Sequence, residues 1–332
     1  MAMHYYDSYY KKRLNAQMQK TYARILIGLQ DFIPEINLDS SLSQSDVKSI
    51  LKYVLLDNPR LFYVDSNFDI VLGISTQLLP KYTYSKRAIE KHNSTIDKYL
   101  QKMNKDFYEY KLDSAGDLEK EHFVHNHCLR HFSYDDKRRE ISHTILGPII
   151  NKKAVGYGIS KFVKMALNYL GVNCLIVTGT WRSLSKGKAQ PHAWNIVEVD
   201  GWSYHLDVTH DMTLSQKINR YDYFNIADSD ILKDHVINDV VPICRRDGSY
   251  FQKKNLVAYS FGELESIVDR HVRQTNNVHF CVKLASIAYT DNTVNEIMKL
   301  GLKCYQAIHT GNAKVNVRYN AEQMVFEILI KK

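Results

Sequence analysis

The sequence predicts an α+β protein in which helices pack on an antiparallel sheet, with an α-rich N-terminal region and a small C-terminal α/β unit. Three observations carry this expectation. Apolar residues recur at helical spacing through about the first 110 residues. A helix pattern then gives way to three strand patterns, the last two joined by Asp200-Gly201, a strong hairpin signal. The end of the chain reads strand, helix, strand, strand. At roughly 150 residues per domain, the 332 residues amount to about two domains. The expected boundaries are 1–112, 113–260 and 261–332.

In chain order, Met18, Tyr22, Ile25, Leu26 and Leu29 make an amphipathic helix of about Tyr9 to Phe32. Ser43 to Leu56 follows as a second, with Ser43 as N-cap and Asp46 in its first turn. Leu61 to Val64 and Ile70 to Ile74 read as strands, with Gln77 to Tyr84 returning as a hairpin partner. Lys86 to Asn104 is a third helix. The stretch Asp113-Ser114-Ala115-Gly116 punctuates the change of region. Helices are then expected at Asp117 to Phe132, His143 to Ile150 and Gly158 to Leu170, the last stopped by Gly171. Strands follow at Asn173 to Gly179, Ala193 to Val199 and Ser203 to Val208. Tyr221 to Asp247 reads as loop with a helical turn. Leu264 to Val272 is a helix. His279 to Ile287, Thr293 to Gly301, Ala313 to Tyr319 and Gln323 to Ile330 form the closing strand, helix and two strands.

Composition narrows the function classes. The 24% charged and 45% hydrophobic residues are those of a folded globular chain, and 6 Pro with 14 Gly exclude collagen-like or low-complexity architecture. No run of about 18 apolar residues exists, so no membrane span is expected. The net charge of +8 admits an acidic partner, but the basic residues are scattered and no paired zinc ligands accompany them, which argues against nucleic acid. Five Cys at irregular spacing, without a CxxC pair, suit buried free thiols better than disulfides or structural zinc. The first seven residues have no apolar core of a leader, so a cytoplasmic protein is the simplest expectation; a secreted chain shorn of its leader would look the same.

The informative stretch is Lys153 to Asp211. A helix N-terminus sits at Val155-Gly156-Tyr157-Gly158, His192 opens a strand in Pro191-His192-Ala193-Trp194-Asn195, and Asp207 ends the next strand. Antiparallel strands joined at Asp200-Gly201 can bring His192 beside Asp207, and an Asp that accepts from an imidazole N–H fixes its tautomer for work as a base. The missing partner is a nucleophile at a helix N-terminus, where the macrodipole lowers a thiol's pKa.

The run Lys153-Ala154-Val155-Gly156-Tyr157-Gly158-Ile159-Ser160, the helix end Asn168-Tyr169-Leu170-Gly171-Val172, then His192-Ala193-Trp194-Asn195 and Asp200-Gly201-Trp202-Ser203-Tyr204-His205-Leu206-Asp207-Val208-Thr209 together resemble the transglutaminase-like core, a fold also described as papain-like. Phe132-Ser133-Tyr134-Asp135 and Tyr221-Asp222-Tyr223-Phe224-Asn225 flank it in the same order. The resemblance covers roughly Leu118 to Asp234, about a third of the chain. It implies a catalytic His at His192 and a catalytic Asp at Asp207. It also places the family's nucleophilic Cys at Gly156, and a glycine has no group that can attack, so acyl-enzyme chemistry by the usual route is closed. His210 stands where the family often has Trp. The animal branch of the family uses calcium, but no Asp-rich loop of that kind is present, so no cofactor is expected.

Other candidates are weaker. Ser160 lies a helical turn from Gly156, an unactivated hydroxyl displaced by about 6 Å. Cys174 and Cys128 read as structural thiols. His122, His125, His127 and His131 fall on two helix faces without the carboxylate of a zinc helix, so no metal site is expected there. Tyr157 and Trp194 are expected to line the cleft, Trp194 on the same strand face as His192, with plain core packing as the alternative for Trp194. Three functions compete. The leading one is a transglutaminase-like pseudoenzyme whose cleft binds a peptide or amide side chain without turnover. The second is an inactivated form of a Cys-His-Asp peptidase, amidase or protein-glutamine acyltransferase, with another residue natural at position 156. The third is a basic adaptor for acidic partners, marked by steep salt dependence. The sequence does not set the oligomeric state.

Overall fold

The computed structural model describes residues 8–39, 42–73, 75–109, 115–182, 187–275, 278–310 and 312–331. The expected absence of a leader at residues 1–7, the punctuation at Asp113-Ser114 and the strand end at Ile74 lie outside them. The chain is α+β with antiparallel sheets, as the sequence patterns require, and divides into two units: Met1–Thr178 with His192–Ser203, and Gly179–Pro191 with Tyr204–Lys332. No helix among the described residues is long and apolar enough to cross a membrane.

In the first unit, the expected long helix is shorter. Lys11–Arg13 is a 3₁₀ turn, Leu14 is extended, and α1 runs Ala16–Gln30 because the Asn15 side chain caps it by accepting from Met18 N–H. Tyr9 and Tyr10 are nonetheless buried. A short strand β1, Ile36–Leu38, was not legible in the pattern. Helix α2, Gln44–Asp57, begins at Ser43 with the reciprocal Ser43–Asp46 capping box that the sequence predicts. Leu61-Phe62-Tyr63 is a buried turn rather than a strand; the hairpin is β2, Val64–Val71, with β3, Thr76–Tyr82, and β1 joins it in the order β1-β3-β2. Helix α3 is Lys86–Glu109 and α4 is Asp117–His131.

Two dipeptide strands, β4 (Ser133–Tyr134) and β5 (Lys153–Ala154), pair in parallel. Between them, the single helix expected at His143 to Ile150 is instead a 3₁₀ turn, Glu140–His143, and a π turn, Gly147–Asn151, separated by extended Thr144. Pro148 lacks the N–H that a continuous helix would need there. Helix α5, Gly156–Tyr169, turns its apolar side to the core through Ile159, Phe162, Val163, Ala166 and Leu167. It stops before Gly171, whose φ of 86° is the left-handed conformation of a helix C-terminus.

Strands β6 (Cys174–Trp181), β7 (Gln190–Val199) and β8 (Trp202–Leu206) follow. Asp200 and Gly201, at φ 51° and 78°, make the expected tight turn between β7 and β8. The expected third strand ends early. Asp207 closes it as the N-cap of α6, Val208–Leu214. The stretch read as loop with a helical turn holds that turn as α7 (Asp228–Ile231), and also β9 (Phe224–Ile226) and β10 (His235–Ile237), strands too short to leave a period in the sequence. The five-stranded sheet has the order β10-β6-β7-β8-β9.

In the second unit, α8 (Tyr250–Lys253) and β11 (Val257–Ala258) lead to α9 (Phe261–Gln274), β12 (Val278–Leu284), α10 (Thr293–Gln306), β13 (Lys314–Asn320) and β14 (Val325–Lys331). The last four are the expected strand, helix, strand, strand. The sheet order is β11-β12-β14-β13, with Leu264, Val268, Val282, Ile297, Phe326 and Ile328 in its core.

Candidate active site

The loop ahead of α5 is fixed first. Asp135 is buried and accepts from the Arg139 guanidinium at 3.0 and 3.2 Å and from the Ser142 hydroxyl, and the Arg139 hydrogen bonds hold its carboxyl below the usual carboxylate range. Ser142 C=O in turn accepts from Val155 N–H at 3.1 Å. Gly158 is required by this close approach: a Cβ there would stand 2.3 Å from Ser142 O and 3.0 Å from Thr144 O. Val155 offers no side-chain cap, and α5 starts at Gly156.

Helix and sheet are then tied by Asn195, whose buried side-chain amide donates to Ser160 O at 3.0 Å and Leu175 O at 3.1 Å. Lys164, buried on α5, donates to Cys174 O at 3.0 Å. Alternation along β7 then turns His192 and Trp194 away from Asn195. Their rings lie parallel within 15°, with centroids 6.0 Å apart. The first unit thus brings Gly156 and His192 together. A Cβ on Gly156 would lie 2.7 Å from His192 Nδ1, 2.8 Å from its Cε1 and 3.0 Å from Ala193 O. Trp194 is 1% exposed and packs in the core, while Tyr157 is half-buried with its ring 6.5 Å from that of His143. Asn195 is the residue whose role the sequence did not reveal, because its partners are backbone carbonyls of other elements.

Asp207 belongs to the second unit. It is fully buried, and its two oxygens have separate tasks. Oδ1 accepts from Thr209 N–H at 3.0 Å and His210 N–H at 3.1 Å, capping α6. Oδ2 accepts from His210 Nδ1 at 2.5 Å and His235 Nε2 at 3.2 Å. His210, which stands where the resemblance leads one to expect Trp, binds Asp207 directly. His235 also donates from Nδ1 to Asp234 Oδ1 at 2.5 Å. Burial alone would lower the pKa of His235, but its hydrogen bonds to Asp207 and Asp234 outweigh this and push it up to about 9, so the ring is a cation between two carboxylates at neutral pH.

The network continues. Tyr223 OH donates to Asp234 Oδ2 at 2.6 Å, and Asn320 donates to Tyr223 OH at 3.3 Å and to Asp222 Oδ2 at 3.1 Å. Arg220 grips Asp222 through two bonds of 2.7 and 2.8 Å and reaches Glu327 on β14 at 3.2 Å. Arg220, Asp222 and Glu327 are all buried.

The alternative nucleophiles are structural. The Ser160 hydroxyl donates to Tyr157 O at 3.1 Å, and burial pushes the Cys128 and Cys174 thiols well above their ordinary value. On α4, burial pushes His125 and His127 down to about 3, so both rings are neutral, His125 fully buried and His127 half-buried, stacking on His131 and Phe162.

No family model matches this chain, and no curated protein matches it. Among solved structures, a crystal structure described as a TGase aligns with a TM-score of 0.31 at 16% identity, over 56% of this chain and 53% of that one. A candidate protease from Parabacteroides distasonis aligns with a TM-score of 0.27 at 12% identity, over 81% and 55%. This chain therefore spans about half the length of either. Likenesses this distant say nothing of activity.

Proposed function

We propose that this protein is a catalytically impaired transglutaminase-like protein, its core within residues 113–260, that binds a peptide or amide side chain beside Gly156 and His192 without covalent turnover. One observation carries the reading. The N-terminal residue of α5, the place of the missing thiol, lies against the imidazole that would have activated it, and a Cβ there would stand 2.7 Å from Nδ1. The ring occupies the volume a cysteine side chain would need, and no thiol or hydroxyl described above takes its place. His192 and Asp207 are the remaining members of the triad by their position in the sequence.

Iodoacetamide labelling of the Gly156→Cys variant, followed by peptide mass spectrometry across pH, tests this lineage. The buried native thiols are the internal reference. We expect the introduced thiol to label well below the ordinary thiol pKa of about 8.5, because the helix terminus and His192 still activate that position. Labelling no faster than an ordinary thiol sinks the reading. So does a covalent acyl adduct formed by the native chain with a glutamine-containing peptide.

A further inference from the structure

We propose that Asp207, His210 and His235 form a binding site for a divalent transition-metal ion. Asp207 Oδ2, His210 Nδ1 and His235 Nε2 lie within 4.8 Å of one another, all within the second unit. Two imidazole nitrogens and one carboxylate oxygen are the donor set of many open transition-metal sites, in which the protein supplies three ligands and leaves the rest to solvent or substrate. Around a tetrahedral ion with bonds of about 2.0–2.2 Å, ligand atoms sit about 3.3 Å apart. His235 Nε2 and Asp207 Oδ2 already stand at 3.2 Å, and His210 Nδ1, now 2.5 Å from the same oxygen, must open slightly; the ion would take the place of the protons that both nitrogens now direct at Oδ2, with the His235 proton released to solvent.

The groups behind these ligands are the stronger argument. Metal-bound histidines commonly donate their second ring nitrogen to a carboxylate, which orients the ring and raises its basicity. His235 does this to Asp234 at 2.5 Å, and Asp234 is itself held by Tyr223 OH at 2.6 Å and Gln323 Nε2 at 3.3 Å. Asp207 is aimed in the same way: two backbone N–H groups occupy Oδ1 and leave Oδ2 for the histidines. An independent observation points to a further oxygen ligand. The indole N–H of Trp181, whose ring centroid is 4.7 Å from that of His210, is buried with no hydrogen-bond partner among the described residues. A metal-bound water or substrate oxygen would accept from it. Asp207 and His235 are fully buried and His210 is 13% exposed, so the ion would enter past His210. A second grouping in the same unit, His205, Asp228 and Cys244, is less suited, because burial pushes the Cys244 thiol up and no cation offsets this.

The test is equilibrium dialysis of the untagged full chain against Zn²⁺ after chelator treatment, with bound metal counted by mass spectrometry. One equivalent is expected. His210→Ala, on the most exposed of the three ligands, and Asp234→Asn should each weaken binding by about 10-fold or more, and Cys244→Ser should leave it unchanged. Circular dichroism checks that each variant is folded. The unmutated chain loaded with Co²⁺ gives a second readout: the visible bands of a low-coordinate nitrogen and oxygen site, without a thiolate charge-transfer band. No stoichiometric binding, binding that survives both His210→Ala and Asp234→Asn, or a thiolate band overturns the proposal. The outcome is separate from the pseudoenzyme reading, which the labelling of Gly156→Cys tests without metal.

Discussion

The corner at Gly156 and the network around Asp207 hold the two ends of one sequence motif, and they are built in opposite ways. At Gly156 there is no side chain and the His192 ring lies where a Cβ would need room, so the contact is one of shape. At Asp207 each carboxylate oxygen has two donors, and the chain of polar groups runs on through Asp234, Tyr223, Asn320 and Asp222 to Arg220 and Glu327. A glycine against a ring imposes only a steric requirement. Buried charges impose their own need, because each must keep its partners or destabilise the fold. The first region is therefore free to drift, and the second is held by electrostatics whether or not it performs chemistry.

This contrast is sharpest at Arg220. Replacing it with Met leaves Asp222 buried without its two guanidinium bonds, while Glu327 keeps Arg318 at 3.3 Å, and should destabilise the protein by about 3–5 kcal/mol in urea unfolding. A loss under about 1 kcal/mol would mean that the network is not what holds the second unit.

The next effect is pH-dependent. His235 faces the carboxylates of Asp207 and Asp234, with the rings of His210 and Tyr223 packed against it. Its folded pKa, about 9, lies above the unfolded value of about 6.5. Its contribution is therefore complete below pH 6.5 and lost as pH rises to 9, by roughly 3 kcal/mol. Unfolding free energies of the chelator-treated chain between pH 6 and 9.5 should fall accordingly, and the slope should flatten in His235→Gln. An unchanged slope in that variant would place the titration elsewhere.

The smallest effect separates shape held by backbone from shape held by a side chain. In Gly158→Ala the new methyl meets the Ser142 carbonyl at 2.3 Å, which cannot yield, at a cost of about 3 kcal/mol or more, whereas in Gly156→Ala its closest contact is an imidazole that can rotate, with one backbone carbonyl, Ala193 O, at 3.0 Å, at about 1 kcal/mol. Thermal unfolding of the two variants checks the order. The reverse order would show that the His192 ring is fixed and the Ser142 loop is soft.

Much of the fold was legible because its signals are local. The Ser43–Asp46 capping box, the apolar stripe of α5 up to Gly171, the Asp200-Gly201 turn and the closing strand, helix and two strands each depend on residues a few positions apart. The elements missed were those too short to carry a period, such as β1, β9 and β10. The segments misread were those in which one residue redirects the chain: Asn15 shortens α1, Pro148 keeps the two turns before α5 from joining into one helix, and Asp207 converts a strand end into a helix. Of the site, Gly156 and His192 could be named from the sequence as an expected pair, since spaced motifs mark them. Asn195 and the second histidine on Asp207 could not.

The sequence by itself thus determined that position 156 has no nucleophile, that a helix begins there, and that His192 heads a strand, because composition and periodicity are properties of neighbours along the chain. Only the tertiary structure decided that the His192 imidazole lies against Gly156, and that Asp207 is shared between His210 and His235, the latter 28 residues further on. Which buried charge meets which is set by the packing of elements far apart in sequence, and no spacing along the chain encodes it.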